Sequence, residues 1–114
     1  MSEQNISPPQ TARPDLKPRT RPKPRKMPPY NVVLLNDDDH SYEYVIQMLS
    51  ILFGHSEQKG FRLAKEVDTN GRAIVMTTHR ELAELKRDQI HAYGADRYIA
   101  RSKGSMAATI EPAE

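Results

Sequence analysis

The sequence predicts a domain of the α+β class, in which three helices pack on a small, three-stranded, mostly antiparallel sheet. Short apolar and β-branched stretches predict three strands, and apolar residues three and four positions apart indicate three helices. A glycine, alone or in an Asn-Gly pair, follows each predicted helix. The predicted elements follow one another as strand, helix, helix, strand, helix and strand.

The first strand and the first helix have clear boundaries in the sequence. Residues 30–35 are apolar and β-branched enough to predict a buried strand. Residues 42–53 carry apolar side chains at helical spacing, and Gly54 follows them as a C-terminal stop. Asp39 and Ser41 are both candidates for the N-cap of this helix.

The second helix and second strand follow directly. Ser56 followed by Glu57 predicts the start of a helix, and Asn70-Gly71 supplies the turn that ends it. Residues 72–77 then predict a strand.

The third helix and the last strand complete the domain. Thr78 and Glu81 match a capping box, which predicts a helix start at that point, and Gly94 is the predicted stop. Residues 106–111 alternate between apolar and more polar side chains, so Met106, Ala108 and Ile110 are predicted to share the buried face of a strand.

The first 29 residues differ in composition from the rest of the chain. They hold eight of the nine prolines and seven of the 17 lysines and arginines, with two acidic residues, for a net charge of +5. Such a segment buries too little apolar surface to fold, so we expect residues 1–29 to form a disordered tail. Residues 30–114 carry a net charge of −3, and we expect them to form one small domain.

Composition also excludes several kinds of protein. No apolar run approaches the roughly 20 residues that cross a bilayer, and there is no cysteine, so we expect a cytoplasmic protein with no membrane partner. Four histidines are widely separated, and no serine or threonine is evidently paired with a base. We therefore expect neither an enzyme nor a metal or cofactor site.

An acidic cluster, residues 36–39 (Asn-Asp-Asp-Asp), follows the first strand directly. Consecutive carboxylates repel one another, so a cation, an ammonium group or a helix N-terminus is expected beside them. A solvated turn and a weak divalent-cation site at residues 37–39 are alternatives. The sequence does not fit a calcium-binding loop, because the glycine and glutamate that such a loop requires are absent. It does not fit a receiver domain either, because the phosphoacceptor aspartate of a receiver follows a later strand, whereas Asp68 and Asp88 fall within helical patterns.

Five short motifs, in this order, make residues 30–112 resemble the ClpS family, the adaptors of the ATP-dependent Clp protease. They are Val-Val-Leu-Leu-Asn-Asp-Asp at 32–38, Glu-Tyr-Val-Ile at 43–46, Asn-Gly-Arg-Ala at 70–73, Glu-Leu-Ala-Glu with Lys86 at 81–86, and Thr-Ile-Glu-Pro at 109–112. The resemblance implies a non-enzymatic adaptor. Such adaptors hold substrate proteins by a free N-terminal amino group and a bulky hydrophobic first side chain (an N-degron), and pass them to a Clp ATPase.

The resemblance also implies which residues bind the substrate. The amino group would be held by four polar residues: Asn36, Asp37, Asp38 and Asp68. The first side chain would enter a hydrophobic pocket lined by Tyr42, Val45, Ala64, Val67 and Ile110. Tyr42 and Ala64 stand where such adaptors usually have methionine, and Asp68 stands where they have a histidine, so we expect an altered ranking of N-terminal residues. Whether His40 replaces that histidine is left open.

A second surface is implied by the same resemblance. Glu81 and Lys86 match positions that dock on the N-terminal domain of the Clp ATPase, although alone they are ordinary helix-surface charges. The tail would engage the ATPase during delivery. Its alternating arginine, lysine and proline over residues 13–26 leave open a basic-tailed module that binds nucleic acid or protein, with the acidic cluster as a solvated turn.

Overall fold

The computed structural model describes residues 27–36, 39–100 and 102–113. In chain order the elements are β1 (Tyr30–Leu35), α1 (Tyr42–Phe53), α2 (Glu57–Asn70), β2 (Arg72–Thr78), α3 (Arg80–His91) and β3 (Ala108–Pro112). The predicted class and element order are confirmed. Except for its last three residues, the segment predicted as a tail lies outside the described residues.

The sheet has three strands in the order β2-β1-β3, and β1 pairs antiparallel with both neighbours. Val32 lies opposite Met76 on one side and Ile110 on the other. Residues 32–34 of β1 are fully buried, which explains why this central strand reads as a continuous apolar run. An antiparallel sheet of this size excludes the doubly wound parallel sheet of a receiver domain.

The helices bury one core against this sheet. α2 packs on α1 and β2, whereas α3 packs on β1 and β3. The core takes its large buried side chains from β1, α1 and α3, among them Leu34, Met48, Leu49 and Ile90. α1 and α2 approach closely at Gly60, where an added Cβ would lie 3.2 Å from the Cα of Ile46. A glycine at this position therefore sets the distance between the first two helices.

Local capping signals determine the ends of α1 and α2. Ser41 is the N-cap of α1, and its Oγ accepts a hydrogen bond from the backbone N–H of Tyr44 at 3.1 Å. Ser56 caps α2 in the same way. Gly54 and Gly71 follow the two helices with φ of +72° and +86°, the left-handed conformation that glycine adopts without strain. The predicted boundaries are confirmed, and Ser41 rather than Asp39 is the cap.

The predicted start of α3 is wrong. Thr78 belongs to β2, where it pairs with Tyr30, so pairing with the sheet overrides the capping-box pattern. α3 begins at Arg80, and its N-cap, His79, makes no side-chain capping hydrogen bond within the described residues. Glu81 still lies in the first turn, where its charge favours the positive end of the helix dipole. The helix ends at His91, three residues before Gly94.

Within the described residues, no helix has both the length and the apolar character needed to span a membrane.

Candidate functional site

The end of β1, the start of α1 and the end of α2 meet at one corner of the fold. Asn36 follows β1, and its backbone N–H donates to the carbonyl of Gly71 at the α2–β2 turn, at 3.0 Å. The neighbouring N–H of Leu35 donates to the carbonyl of Ala107 at 3.0 Å. These two bonds fix Asn36 between the end of α2 and the start of β3.

A small cavity of about 40 Å³ opens at this corner. It is lined by residues from the β1–α1 connection, α1, α2 and the segment before β3: Asn36, His40, Ser41, Tyr42, Val45, Ala64, Val67, Asp68 and Met106. Polar and charged groups and apolar side chains thus share one cavity. Larger grooves, of about 460 and 350 Å³, contain neither Asn36 nor Asp68, so chemistry rather than volume singles out this corner.

The structure brings most of the predicted substrate-binding residues together. Six of them line the cavity: Asn36, Tyr42, Val45, Ala64, Val67 and Asp68. Asp37 and Asp38 lie outside the described residues. Ile110 is not among the residues that line this cavity, and it lies further along the sheet, opposite Val32. Met106, four residues earlier in the chain, provides the wall on that side.

Tyr42 connects the two helices across the cavity. Its hydroxyl donates to Oδ2 of Asp68 at 2.9 Å, from the first residue of α1 to the last turn of α2. Its ring meets that of Phe61 edge to face, with 5.5 Å between centroids. The hydrogen bond to Asp68, with smaller effects of desolvation and of the carboxylate charge, raises the pKa of the Tyr42 phenol above its ordinary value.

His40 occupies the other side of the cavity. Its Nε2 lies 2.7 Å from the carbonyl oxygen of Gly104, and its ring lies against Tyr44 with 4.6 Å between centroids. A carbonyl oxygen only accepts hydrogen bonds, so Nε2 carries the proton in this contact. The histidine is thus held in one orientation at the cavity wall.

A buried carboxylate fixes the loop after α3 against the site. Asp96 is 2% exposed and accepts hydrogen bonds from the backbone N–H groups of Ser41 and, at 2.7 Å, of Tyr98. Burial alone would raise the pKa of this carboxyl, but the hydrogen bonds outweigh it, and the pKa lies below its ordinary value. The loop that the sequence left unassigned therefore supports the residue that caps α1.

Sequence reasoning did not assign four residues to the cavity or its support. His40 was left open as a replacement for the family histidine, Ser41 was named only as a candidate cap, Met106 only as a buried strand residue, and Asp96 was not singled out. Met106 had a usable signal, because the alternation of the last strand put it on the same face as Ile110. Asp96 had none, since it lies in a polar, irregular stretch and its partner Ser41 is 55 positions away.

The two residues predicted to dock on the ATPase lie on α3 but do not share one face. Glu81 is exposed in the first turn. Lys86 is partly buried, donates from Nζ to the carbonyl of Leu52, and lies 5.4 Å from the centroid of the Phe53 ring. Five residues along a helix correspond to a rotation of about 140°, so the lysine is turned towards the end of α1.

Comparison with known proteins decides the family. The family model described as "ATP-dependent Clp protease adaptor protein ClpS" matches residues 25–98 of the chain. This protein belongs to the ClpS family. Membership makes it an adaptor of the ATP-dependent Clp protease and not an enzyme, in agreement with the expectation from the sequence.

Individual relatives extend this match. The chain is 36% identical over 87 residues to a ClpS adapter protein of Hydrogenovibrio crunogenus, covering 76% of each chain. It is 35% identical over 95 residues to a ClpS adapter protein of Desulforapulum autotrophicum, covering 80% of this chain and 86% of that one. Among solved structures, Agrobacterium tumefaciens ClpS2 bound to L-phenylalaninamide matches with a TM-score of 0.65 and 30% identity, covering 75% of this chain and 98% of that one.

Proposed function

We propose that this ClpS-family adaptor binds the N-terminal residues of substrate proteins in the cavity between α1 and α2 and delivers those proteins to a Clp ATPase. One observation carries the proposal. The cavity joins an amide and a carboxylate, from Asn36 and Asp68, to an apolar wall. A free amino group beside a hydrophobic side chain is the ligand that such a combination fits. L-phenylalaninamide, bound to the related ClpS2, has both features.

The polar residues of the cavity are suited to bind the amino group of the ligand. An α-ammonium has one positive charge and three N–H donors, which suit the amide oxygen of Asn36 and the carboxylates of Asp37, Asp38 and Asp68. Of these, Asn36 and Asp68 line the cavity. His40 also lines it and is a candidate for the position of the histidine that Asp68 replaces. Bonds to the charged amine would select a free terminus over a blocked one.

Burial of the first side chain and hydrogen bonds to the amino group together set the expected affinity. Burying one leucine or phenylalanine side chain contributes about 1.5–3 kcal/mol. One or two hydrogen bonds to a charged group contribute about 1.5–3 kcal/mol each. After the cost of association, we expect a micromolar dissociation constant, or about −8 kcal/mol. Such an affinity suits a carrier that must release its substrate.

Delivery would use the start of α3 and the basic tail. We propose that Glu81 and Lys86 contact the N-terminal domain of the Clp ATPase in the cytoplasm, and that the tail engages the ATPase during transfer. Because Lys86 is held against the end of α1, its position depends on the packing of α1 on α3. Glu81 is the more accessible of the two, so we expect it to contribute more to docking.

Fluorescence polarisation tests the binding proposal. Labelled peptides that differ only in a first residue of Leu, Phe, Tyr or Trp are titrated with the protein, beside an N-acetylated control peptide. We expect micromolar binding of the free peptides and at least tenfold weaker binding of the acetylated one. Combining Asn36→Ala with Asp38→Ala should abolish this preference, whereas Asp88→Ala, which removes an exposed acid on α3, should leave it intact. Equal binding of free and acetylated peptides contradicts the proposal.

A pull-down tests the docking proposal separately. Wild-type protein and a Glu81→Ala, Lys86→Met variant are used to capture the purified Clp ATPase. The variant should lose the ATPase yet keep its affinity for peptides. A variant that still captures the ATPase as wild type does would show that docking lies elsewhere.

A further inference from the structure

Tyr42 contacts α2 on both sides of Ala64. Its ring meets Phe61, and its hydroxyl donates to Asp68. Phe61 and Asp68 are seven residues apart, which is two helical turns or about 10.5 Å along α2. The tyrosine therefore lies across the gap between α1 and α2, over a position where α2 carries only a methyl group.

The cavity that remains is too small for the proposed ligand. A water molecule needs about 10–15 Å³ of such space. The cavity of about 40 Å³ therefore has room for only a few waters and not for a leucine or phenylalanine side chain. Tyr42 is the wall residue that reaches from one helix to the other, so moving its ring is the direct way to enlarge the cavity. That movement breaks the hydrogen bond to Asp68.

We propose that Tyr42 is a latch: its hydrogen bond to Asp68 keeps the cavity closed in the free protein, and a bound N-terminal residue replaces the hydroxyl with its own ammonium group. The inference rests on the proposed function and names the residue that regulates entry. The exchange is favourable at Asp68, because an ammonium is a charged donor and forms a stronger bond to a carboxylate than a phenol does. The exposed position of Asp68 makes it accessible to an incoming terminus.

The latch predicts that removing one hydroxyl group strengthens binding. Tyr42→Phe keeps the ring and its contact with Phe61, but it removes the bond that must break before a ligand enters. We expect the dissociation constant of a Phe-initiated peptide to fall by about threefold to tenfold, the equivalent of one ordinary hydrogen bond. Tyr98→Phe makes the same chemical change at an exposed tyrosine outside the cavity and should leave the constant unchanged.

A double-mutant cycle separates the latch from a general effect on stability. With Asp68→Ala already present there is no bond to release, so adding Tyr42→Phe should no longer strengthen binding. A second measurement uses the wild-type protein. In NMR spectra of ¹³C-tyrosine-labelled protein at neutral pH, the Cζ resonance of Tyr42 should shift when peptide saturates the site, because the hydroxyl has left Asp68.

The outcomes distinguish the latch from the binding proposal itself. The latch is wrong if Tyr42→Phe binds the peptide no more tightly than wild type. It is also wrong if Tyr42→Phe increases the affinity as much in the Asp68→Ala background as in wild type. In both cases the protein can still prefer free termini. A Tyr42 Cζ resonance that stays unchanged at saturation also overturns the latch. If neither wild type nor variant distinguishes free from acetylated peptides, the ligand class is wrong, and the latch is overturned with it.

Discussion

Replacing Asp96 with alanine should destabilise the domain far more than the loss of an ordinary loop acid. The carboxylate is buried and accepts hydrogen bonds from the backbone N–H groups of Ser41 and Tyr98. The first of these precedes α1, and the second lies in the loop after α3. Asp96→Ala therefore disconnects this loop from the beginning of the helix that carries Tyr42 and Val45.

The expected magnitude follows from these two hydrogen bonds. A hydrogen bond to a charged group contributes about 1.5–3 kcal/mol, and an N–H left without a partner is costly only where water cannot replace the acceptor. Tyr98 is 54% exposed, so its N–H can be hydrated after the substitution, whereas Ser41 is partly buried. We expect a loss of about 2–4 kcal/mol in the free energy of unfolding. Asp96→Asn keeps one oxygen acceptor and should lose about half as much.

Urea denaturation followed by circular dichroism at 222 nm measures this change, since the chain has no tryptophan. Asp88→Ala removes an exposed carboxylate on α3 and should change the unfolding free energy by less than about 0.5 kcal/mol. A cost for Asp96→Ala as small as that of this control would contradict our account of the loop.

The same carboxylate predicts the pH dependence. Burial raises its pKa, but the hydrogen bonds from Ser41 and Tyr98 lower it more, so the folded-state pKa lies below that of the unfolded chain. Its stabilising contribution is therefore complete above the unfolded pKa, about 3.9, and is lost as the pH falls through the folded pKa. The difference in stability between wild type and Asp96→Ala should be constant near neutral pH and shrink below about pH 4. A difference that stays unchanged on acidification would show that Asp96 acts through packing.

Two further substitutions test the C-terminal end of α1. Gly54→Ala should cost about 1–2 kcal/mol in urea denaturation, because φ is +72° there although an added Cβ meets no described atom within 4 Å. Gly104→Ala, which is equally open but has no positive φ, should be nearly neutral, and equal costs would refute the backbone explanation. Lys86→Met should cost about 1–2 kcal/mol, because it removes the bond to the Leu52 carbonyl at the negative end of α1. Lys65→Met is the control at an exposed position on α2. If it lowers the free energy of unfolding as much as Lys86→Met does, the bond from Lys86 to Leu52 does not stabilise the domain.

Much of the fold could be predicted because its signals are local. The bounds of β1 follow from one apolar stretch, and the ends of α1 and α2 follow from a capping serine and a glycine. The start of α3 shows where this approach fails. Thr78 has the pattern of a helix cap, but its pairing with Tyr30, 48 positions earlier, keeps it in the sheet. Long-range pairing of this kind leaves no mark in the residues around Thr78.

In the candidate site too, some residues follow from local sequence patterns and others depend on long-range pairing. The family resemblance implied Val45, Ala64 and Val67 as wall residues, and the helical spacing in the sequence places all three on the buried faces of α1 and α2. The sequence pattern puts Met106 and Ile110 on one face of the predicted last strand, although β3 begins only at Ala108, so the pattern could not tell which of them reaches the cavity. That choice depends on where β3 pairs with β1, and the pairing of Ile110 with Val32 leaves Met106 at the corner.

The effect of the large residue at position 42 on ligand binding is the step that most needs coordinates. In the sequence, a larger Tyr42 and a smaller Ala64 could offset each other, and nothing shows whether the tyrosine meets Asp68. The close approach of the helices at Gly60 brings the start of α1 within reach of the end of α2. The tyrosine then closes the space above the alanine and binds a carboxylate that would otherwise be available to an ammonium. If the proposed latch holds, Tyr42 opposes ligand entry in the free protein, and its hydroxyl group accounts for part of that opposition.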